Sequence, residues 1–459
     1  MNQKKYFNIS ERKILLRIID TIVIITSLYF SFEILNFSYF NFYSNSLLVW
    51  AFLLITYYLI FGEIFQLFNL NISNNRYLVL RSIVVTAFAT TIFYVFTPFL
   101  SPILPNNRLQ IVYLFLILAI PIVVWRFLYI QLIFSPKYFK TVIFIGKSDK
   151  IKGMLKKIQK DNFHNLKAYF SDKEIDNVDG FRNVETENLS EFFTDNSINE
   201  IVVSKDGLSD EVLESLNKEL IFLFQKGYNI ASYESFYEEI NLRVPKEYLE
   251  LNFYKHINFS KNNTNRFYLF GLRVTDIFIA LIGLMAFLVV FPIILIGNIF
   301  ANRGPLFYSQ DRVGQNGKIF KIYKLRSMVT NAENNGAVWA QKNDTRITTF
   351  GKFLRHTRLD EVPQFYNILK GDMGIIGPRP ERPEFVNDLE NKIPFYSIRN
   401  IVRPGLTGWA QVNYPYANTI KEQEIKLRYD LYYIKERSAF LDFKILIKTI
   451  TTILFYRGQ

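Results

Sequence analysis

Four apolar stretches, each long enough to cross a bilayer, crowd the first third of this chain, so its N-terminal part folds in lipid. A helix crosses the hydrocarbon core with about 20 residues. The stretches run over Ile14–Leu35, Ser46–Phe68, Leu80–Leu100 and Leu109–Phe134. Their flanks orient them. Lys4, Lys5, Arg12 and Lys13 precede or open the first, and Asn36–Asn45 carries no Lys or Arg. Arg76 and Arg81 mark the second connection, Arg108 alone the third, and Lys137 and Lys140 follow the fourth. Positive flanks stay cytoplasmic, so both ends of the block are expected there. Arg17, Asp20 and Arg126, near membrane ends, read as snorkelling or locally paired charges. The apolar start is too long for a cleavable signal peptide and lacks a small-residue cleavage site.

The formal net charge of +13 asks for anionic partners. Beside membrane segments these are lipid headgroups and phosphorylated substrates, not nucleic acid. There is no cysteine, which removes thiolate metal sites, and the three histidines (His164, His256 and His356) are too scattered for a zinc site.

The middle of the chain changes character. Thr141–Gly146 reads as a buried strand ending at glycine, Lys150–Lys160 as a helix, Glu200–Ser204 as a strand, Glu211–Gln225 as a helix and Ile230–Tyr233 as a third strand. Such alternation predicts a parallel sheet. A dinucleotide site would need G-x-G-x-x-G after the first strand. Gly146-Lys-Ser-Asp-Lys-Ile-Lys-Gly153 lacks the central glycines, so a degenerate Rossmann-like domain with a structural or regulatory role is expected.

Thr275–Phe300 is a fifth apolar block, and at 1.5 Å per residue its length would span the bilayer. Two features argue for re-entry. Both flanks are basic, with Arg266 and Arg273 before and Arg303, Arg312, Lys318, Lys321, Lys324 and Arg326 after. Pro292 lies inside and lacks a backbone donor, so a helix that enters, breaks at Pro292 and returns is expected. The domains then fall at 1–137, 138–255 and 256–459.

The polar signals cluster in the last of these: Asp311-Arg-Val-Gly314, Lys321-Ile-Tyr-Lys-Leu-Arg-Ser-Met328, Thr357-Arg-Leu-Asp-Glu-Val-Pro-Gln-Phe365, Gly371-Asp-Met-Gly-Ile-Ile-Gly-Pro-Arg-Pro-Glu-Arg382 and Arg403-Pro-Gly-Leu-Thr-Gly-Trp-Ala-Gln-Val-Asn413. Asp360-Glu361 reads as a helix start, where the helix dipole would keep a carboxylate ionised and able to attack phosphorus. Glu361 is a carboxylate suited to Mg²⁺, and the stiff Gly-Pro-Arg-Pro-Glu-Arg turn projects guanidiniums suited to phosphate. Taken singly, each has a plainer reading: an N-cap, a turn, a lipid-facing basic patch.

Together and in this order, the motifs resemble the bacterial sugar transferase family, the polyprenyl-phosphate hexose-1-phosphate transferases, from about Arg266 to Tyr456. The N-terminal block and middle domain resemble its large, multi-domain exopolysaccharide branch. The resemblance implies an α+β monotopic phosphoglycosyl transferase domain with a re-entrant helix broken at Pro292, cytoplasmic on a bacterial inner membrane. It implies Asp360 as nucleophile, Glu361 as Mg²⁺ ligand, and Lys324, Arg326, Arg379, Arg382 and Arg403 around the phosphates. Trp409 and Gln411 take a structural or site-lining role. The implied partners are a UDP-sugar and polyprenyl phosphate, with a homodimer left open. After Asn413 the chain continues Tyr-Pro-Tyr-Ala-Asn in place of a glycine turn, which leaves the sugar unassigned. Two rival readings are a membrane-tethered NAD-dependent sugar-nucleotide dehydratase and a non-catalytic assembly scaffold. The apolar tail Leu441–Tyr456 suits either the membrane surface or the core.

Overall fold

The structure, a computed structural model, describes residues 9–35, 37–70, 76–132, 140–161, 164–184, 192, 198–249, 259–332, 344–414 and 417–454. The chain forms two compact units, Met1–Phe236 and Tyr237–Gln459. The expected boundaries at 137/138 and 255/256 lie outside the described residues, as do the ends of the fourth apolar stretch and of the tail.

The first unit opens with α1 (Ile9–Leu35), α2 (Leu47–Ile64), α3 (Arg76–Val95) and α4 (Leu109–Leu132), all long and apolar enough to cross a membrane. They match the four predicted stretches. α2 packs on α3, α3 on α4, and α4 on α1. Leu28, Leu54, Tyr58, Ile83, Leu114 and Ile122 close the centre, while Phe52, Phe88 and Val124 lie exposed on the outer surface, where lipid rather than water suits them. The charges pair as expected: Arg126 donates to Asp20 Oδ2 at 2.7 Å, and the Tyr58 hydroxyl donates to the same oxygen at 2.9 Å. Arg17 pairs with Glu63.

A five-stranded sheet follows in the same unit. β1 (Lys140–Ile145) leads to α5 (Ser148–Ile158), then β2 (His164–Ser171), β3 (Phe181–Asn183), β4 (Glu200–Val203), α6 (Asp210–Gln225) and β5 (Asn229–Ser232). The order is β3-β2-β1-β4-β5 and every pair is parallel. β1 is central and almost wholly buried, which is why it reads as one apolar run. β2 and β3 were not foreseen. β2 is only partly buried over its first half and β3 has only three residues, so neither shows a strand period. Tyr233, expected to end the third strand, instead opens α7 (Tyr233–Asn241).

In the second unit, α8 (Arg266–Gly297) passes into a π-turn over Asn298–Asn302. The β6 (Phe307–Val313) and β7 (Ile319–Leu325) hairpin follows. Then come α9 (Thr349–His356), a 3₁₀ turn at Leu359–Glu361, α10 (Gln364–Lys370), β8 (Gly374–Ile376), α11 (Pro383–Lys392), β9 (Gly405–Thr407), α12 (Trp409–Asn413), α13 (Ile420–Glu436) and α14 (Ala439–Leu454). β8 and β9 pair in parallel. Trp409, Leu427, Leu431, Leu389 and Ile445 form the core, and α14 buries Leu441 and Ile445 there while Phe440, Phe443 and Leu454 stay exposed.

One face of α8 is fastened to this unit along nearly its whole length. Arg273 donates to the carbonyls of Ile368 and Leu369 at 2.6 and 2.7 Å, so it caps the C-terminal end of α10. Asp276 Oδ1 accepts from the Ile375 amide at 2.8 Å. Gly283 lies so close to Phe365 that an added Cβ would fall 2.3 Å from the ring. Phe287 and Ile294 pack with Leu325 and Leu354, and Asn302 donates to the Arg326 carbonyl at 2.8 Å. The opposite face exposes Phe278, Leu288, Val289, Ile293 and Phe300. Pro292, where a break was expected, lies inside the continuous helix. Proline removes one helical hydrogen bond, and Phe287 and Ile294 anchor the turns on either side of it to the unit. The departure from α geometry comes later, at the π-turn.

Candidate active site

Three segments of the second unit converge. β7 carries Lys324, the 3₁₀ turn carries Asp360 and Glu361, and the loop after β8 carries Arg379. Asn367 fixes the first two against each other: its Nδ2 donates to the Lys321 carbonyl at 2.7 Å and its Oδ1 accepts from the Tyr323 amide at 3.0 Å, which locks α10 to the β7 backbone. Arg358 enters the turn in the left-handed region at φ 61°, a conformation that costs a non-glycine residue roughly 1 kcal/mol or more. The chain reverses there, and Leu359 beyond it packs against the cluster around Leu325 and Leu354.

Glu361 is clamped. Its Oε1 accepts from Arg379 Nη2 at 2.5 Å and from Lys324 Nζ at 3.3 Å. Burial opposes ionisation of this carboxyl, but Arg379 and Lys324 outweigh it and hold Glu361 well below the usual range. In return the Glu361 charge raises Arg379 further. Asp360 is 8% exposed, and its Oδ1 is buried with no hydrogen-bond partner. Burial, and then the neighbouring Glu361 charge, push Asp360 up to about 6 against the pull of Lys324, Arg355 and Arg358. The expectation that a helix dipole keeps Asp360 ionised is therefore corrected. α10 begins only at Gln364, and desolvation governs Asp360.

A second layer holds Arg379. Arg399 Nη2 donates to the Arg379 carbonyl at 3.0 Å and to Asp430 Oδ2 at 2.8 Å. Arg312 donates to the Pro380 carbonyl at 3.1 Å, and Glu381 takes Lys426 and Arg312 as counter-ions. Burial opposes ionisation of Glu381 too, but Lys426, Arg399 and Arg312 bring it down to about 2.

Of the predicted residues, the structure thus brings Lys324, Asp360, Glu361 and Arg379 together. It does not bring Arg326 to them. That guanidinium donates to the carbonyls of Pro305, Met328 and Asn302 at 2.7, 3.2 and 2.6 Å and seals the turn that follows α8. Arg382 caps the start of α11, 3.5 Å from Glu384 and over the Phe385 ring. Arg403 lies near Arg273 and Asp276, with burial and then Arg273 lowering it. Gln411 donates to the Leu406 carbonyl at 3.0 Å, and Trp409 Nε1 donates to the Leu242 carbonyl at 2.8 Å, both structural roles. The sequence reading missed Arg355 and Arg358, whose charges act on Asp360, although Arg358 stands in the Thr357–Phe365 motif itself.

No group of three or more acidic or histidine side chains suited to a metal occurs among the described residues. Asp360 and Glu361 still offer hard oxygen donors, and the unpartnered Oδ1 of Asp360 is a buried acceptor awaiting a positive partner. Magnesium, which takes one or two carboxylates and completes its shell from substrate phosphate and water, fits such a donor set.

A carboxylate pair under three or more cations suits phosphate chemistry, and comparison with known proteins agrees. The family model described as bacterial sugar transferase matches residues 267–456. A UDP-N-acetylgalactosamine-undecaprenyl-phosphate N-acetylgalactosaminephosphotransferase from Aeromonas hydrophila is 52% identical over 151 residues, 33% of this chain and 36% of that protein. A Bacillus subtilis strain 168 protein, provisionally named an undecaprenyl-phosphate N-acetylgalactosaminyl 1-phosphate transferase, is 53% identical over 132 residues, 29% of this chain and 74% of its own length. A UDP-glucose:undecaprenyl-phosphate glucose-1-phosphate transferase from Xanthomonas campestris pv. campestris is 37% identical over 206 residues, 43% of this chain and 42% of that protein. The matched part thus spans less than half of the Aeromonas and Xanthomonas relatives. With three quarters of the Bacillus protein covered at this identity, the chain belongs to the bacterial sugar transferase family.

Proposed function

We propose that this protein transfers a sugar-1-phosphate from a UDP-sugar to undecaprenyl phosphate, the opening step of a surface polysaccharide. The observation that carries the reading is Asp360: a buried carboxylate with an unpartnered oxygen, beside a Glu361 already neutralised by Lys324 and Arg379. An Asp360 oxygen attacks the phosphorus that bears the sugar. A carboxyl–phosphate bond forms as the bond to the bridging oxygen breaks, and that electron pair leaves on UMP. An oxygen of undecaprenyl phosphate then attacks the same phosphorus, restoring the carboxylate and giving the lipid diphospho-sugar. Arg379 and Lys324 offset charge on the phosphoryl group, where catalysis is mostly positioning and electrostatics. Magnesium held by Glu361 would supply further charge neutralisation on the diphosphate.

The names of the two relatives above 50% identity favour N-acetylgalactosamine as the sugar. We place the second unit on the cytoplasmic side, with the exposed apolar face of α8 embedded in the near leaflet and the helix not crossing to the far side. Its contacts with this unit from Arg273 to Asn302 support that reading, since an upright spanning helix would touch a soluble domain near one end only. The parallel order β3-β2-β1-β4-β5 supports reading the middle sheet as a degenerate Rossmann-like domain. The dehydratase and scaffold readings gain no support from relatives that are all named transferases.

The test is UMP release and lipid product from purified protein with UDP-N-acetylgalactosamine, UDP-glucose and UDP-galactose. The first should turn over fastest, and Asp360→Asn should lower turnover by at least about 1,000-fold. Undiminished turnover in that variant would remove Asp360 from the mechanism.

A further inference from the structure

The α1–α4 block has two unlike ends. Arg12, Arg17, Glu63 and Arg126 lie toward the end where the chain leaves α4 for β1. The other end, where the α1–α2 and α3–α4 connections meet, carries an open cleft of about 470 Å³, within the volume range of small-ligand sites. No charged side chain lines it. Its lining mixes amides and aromatic rings (Asn41, Asn106, Asn107, Gln110, Tyr39 and Trp50) with a serine, two prolines and an isoleucine.

The amides are poised to donate. Asn41 Oδ1 accepts from the Tyr43 amide at 2.8 Å, Asn107 Oδ1 from the Leu109 amide at 3.0 Å, and Gln110 Oε1 from the Tyr39 amide at 3.4 Å. Each oxygen is spent on the fold, which leaves the NH₂ groups for a ligand. The wall is also braced. Tyr39 packs edge-on against Phe37 and Tyr94, Trp50 against Phe40, and Ser101 Oγ donates to the Thr97 carbonyl at 2.7 Å just before Pro102. A braced site loses little freedom on binding. Amide donors beside an indole face, with no cation present, suit a ligand with oxygen acceptors and an apolar ring face but no charge. A phosphate would lack a counter-charge, and an acyl chain would leave the NH₂ groups unsatisfied.

We propose that this cleft is a binding site for an uncharged hexose or N-acetylhexosamine unit, with Trp50 as its stacking platform. On the orientation given above it opens on the non-cytoplasmic side, where the sugar would arrive as free glycan or on a lipid diphosphate.

Full-length protein in nanodiscs free of sugar-headed detergent is examined by saturation-transfer NMR with N-acetylgalactosamine, glucose and glucuronate. The two neutral sugars should receive saturation and glucuronate, matched in size but charged, should receive much less. Trp50→Ala should weaken binding by about tenfold, one aromatic contact. Asn106→Ala, at an exposed position, should weaken it with no change in melting temperature, and sugar-1-phosphate transfer should persist in both variants. Undecaprenyl diphospho-N-acetylgalactosamine in the disc distinguishes the sources: displacement of free sugar assigns the lipid-linked form, persistence the free glycan. The proposal is overturned if neutral sugars give no transfer, if glucuronate binds equally, or if the Asn106→Ala and Trp50→Ala proteins bind as the parent does. None of these readouts passes through Asp360, so failure here leaves the transferase reading standing.

Discussion

Two places in this molecule could meet a nucleotide's phosphates, and they are built in opposite ways. In the middle sheet the turn after β1 leads into α5, the position at which nucleotide folds cradle a pyrophosphate. There the chain supplies its own anion: Asp172 Oδ1, just past β2, accepts from the Ser148 amide at 2.7 Å. Burial opposes ionisation of Asp172, but the Ser148 hydrogen bonds outweigh it and lower the carboxyl. Gly146, at φ 157°, packs so tightly that an added Cβ would lie 2.8 Å from the Ser204 Cβ. In the second unit the balance is reversed. Cations are in excess around Glu361, and one carboxylate oxygen of Asp360 is left without a partner. A self-satisfied turn is a scaffold, and an unsatisfied one is a site.

If that contrast is right, breaking the second arrangement should cost far more activity than breaking the first. After loss of Asp360 itself, the largest effect is expected from Arg379→Ala. It removes the closest partner of Glu361 and a cation facing the phosphate, so kcat should fall by about 100- to 1,000-fold, read as UMP release. Arg379→Lys should restore only part of it, because a single ammonium cannot reproduce the guanidinium fork. A fall smaller than about tenfold would show that Arg379 only braces the turn.

The pH dependence sharpens the same contrast. Asp360 attacks only when ionised, and its carboxyl sits at about 6. kcat/KM should therefore be flat above neutrality and fall about tenfold per unit well below pH 6. Lys324 pulls Asp360 down, so Lys324→Met should move that limb upward on the residual activity. Stability runs the other way. The folded carboxyl lies above its ordinary 3.8, so the folded state binds the extra proton and stability falls as pH rises from about 4 to 6. Above pH 6, Asp360→Asn should raise the unfolding free energy by on the order of 1–3 kcal/mol while abolishing transfer, since it replaces a buried, half-satisfied charge. A lower melting temperature in that variant would contradict this account of the carboxylate.

Local signals of this architecture were legible in the sequence, and long-range ones were not. α1–α4 and β1 follow from length and apolarity alone. Lys324, Asp360, Glu361 and Arg379 followed from motif order. Arg326 was misplaced for a definite reason. Residues two apart share a face only while a strand continues, and β7 ends at Leu325, so Arg326 turns away to the carbonyls after α8. The second layer was invisible because its partners are distant in sequence: Arg399 with Asp430, 31 residues on, and Glu381 with Lys426, 45 residues on. The passage of α8 through Pro292 was equally hidden, because it rests on packing by Phe287 and Ile294 that hydropathy does not report.

The smallest predicted effect tests the quiet half of the comparison. Asp172→Ala strips the carboxylate from the start of α5 and leaves the Ser148 amide to water. Removing such a cap costs about 1 kcal/mol, so the melting temperature should drop by a few degrees. Transfer by the variant should match the parent at temperatures where both are folded, because nothing around Glu361 changes. Asp172→Asn keeps an acceptor oxygen and should recover most of the loss, which separates the hydrogen bond from the charge. Should Asp172→Ala instead lower kcat at unchanged stability, the turn after β1 would have to be counted as part of the catalytic machinery, and the division between a filled scaffold and an open site would fail.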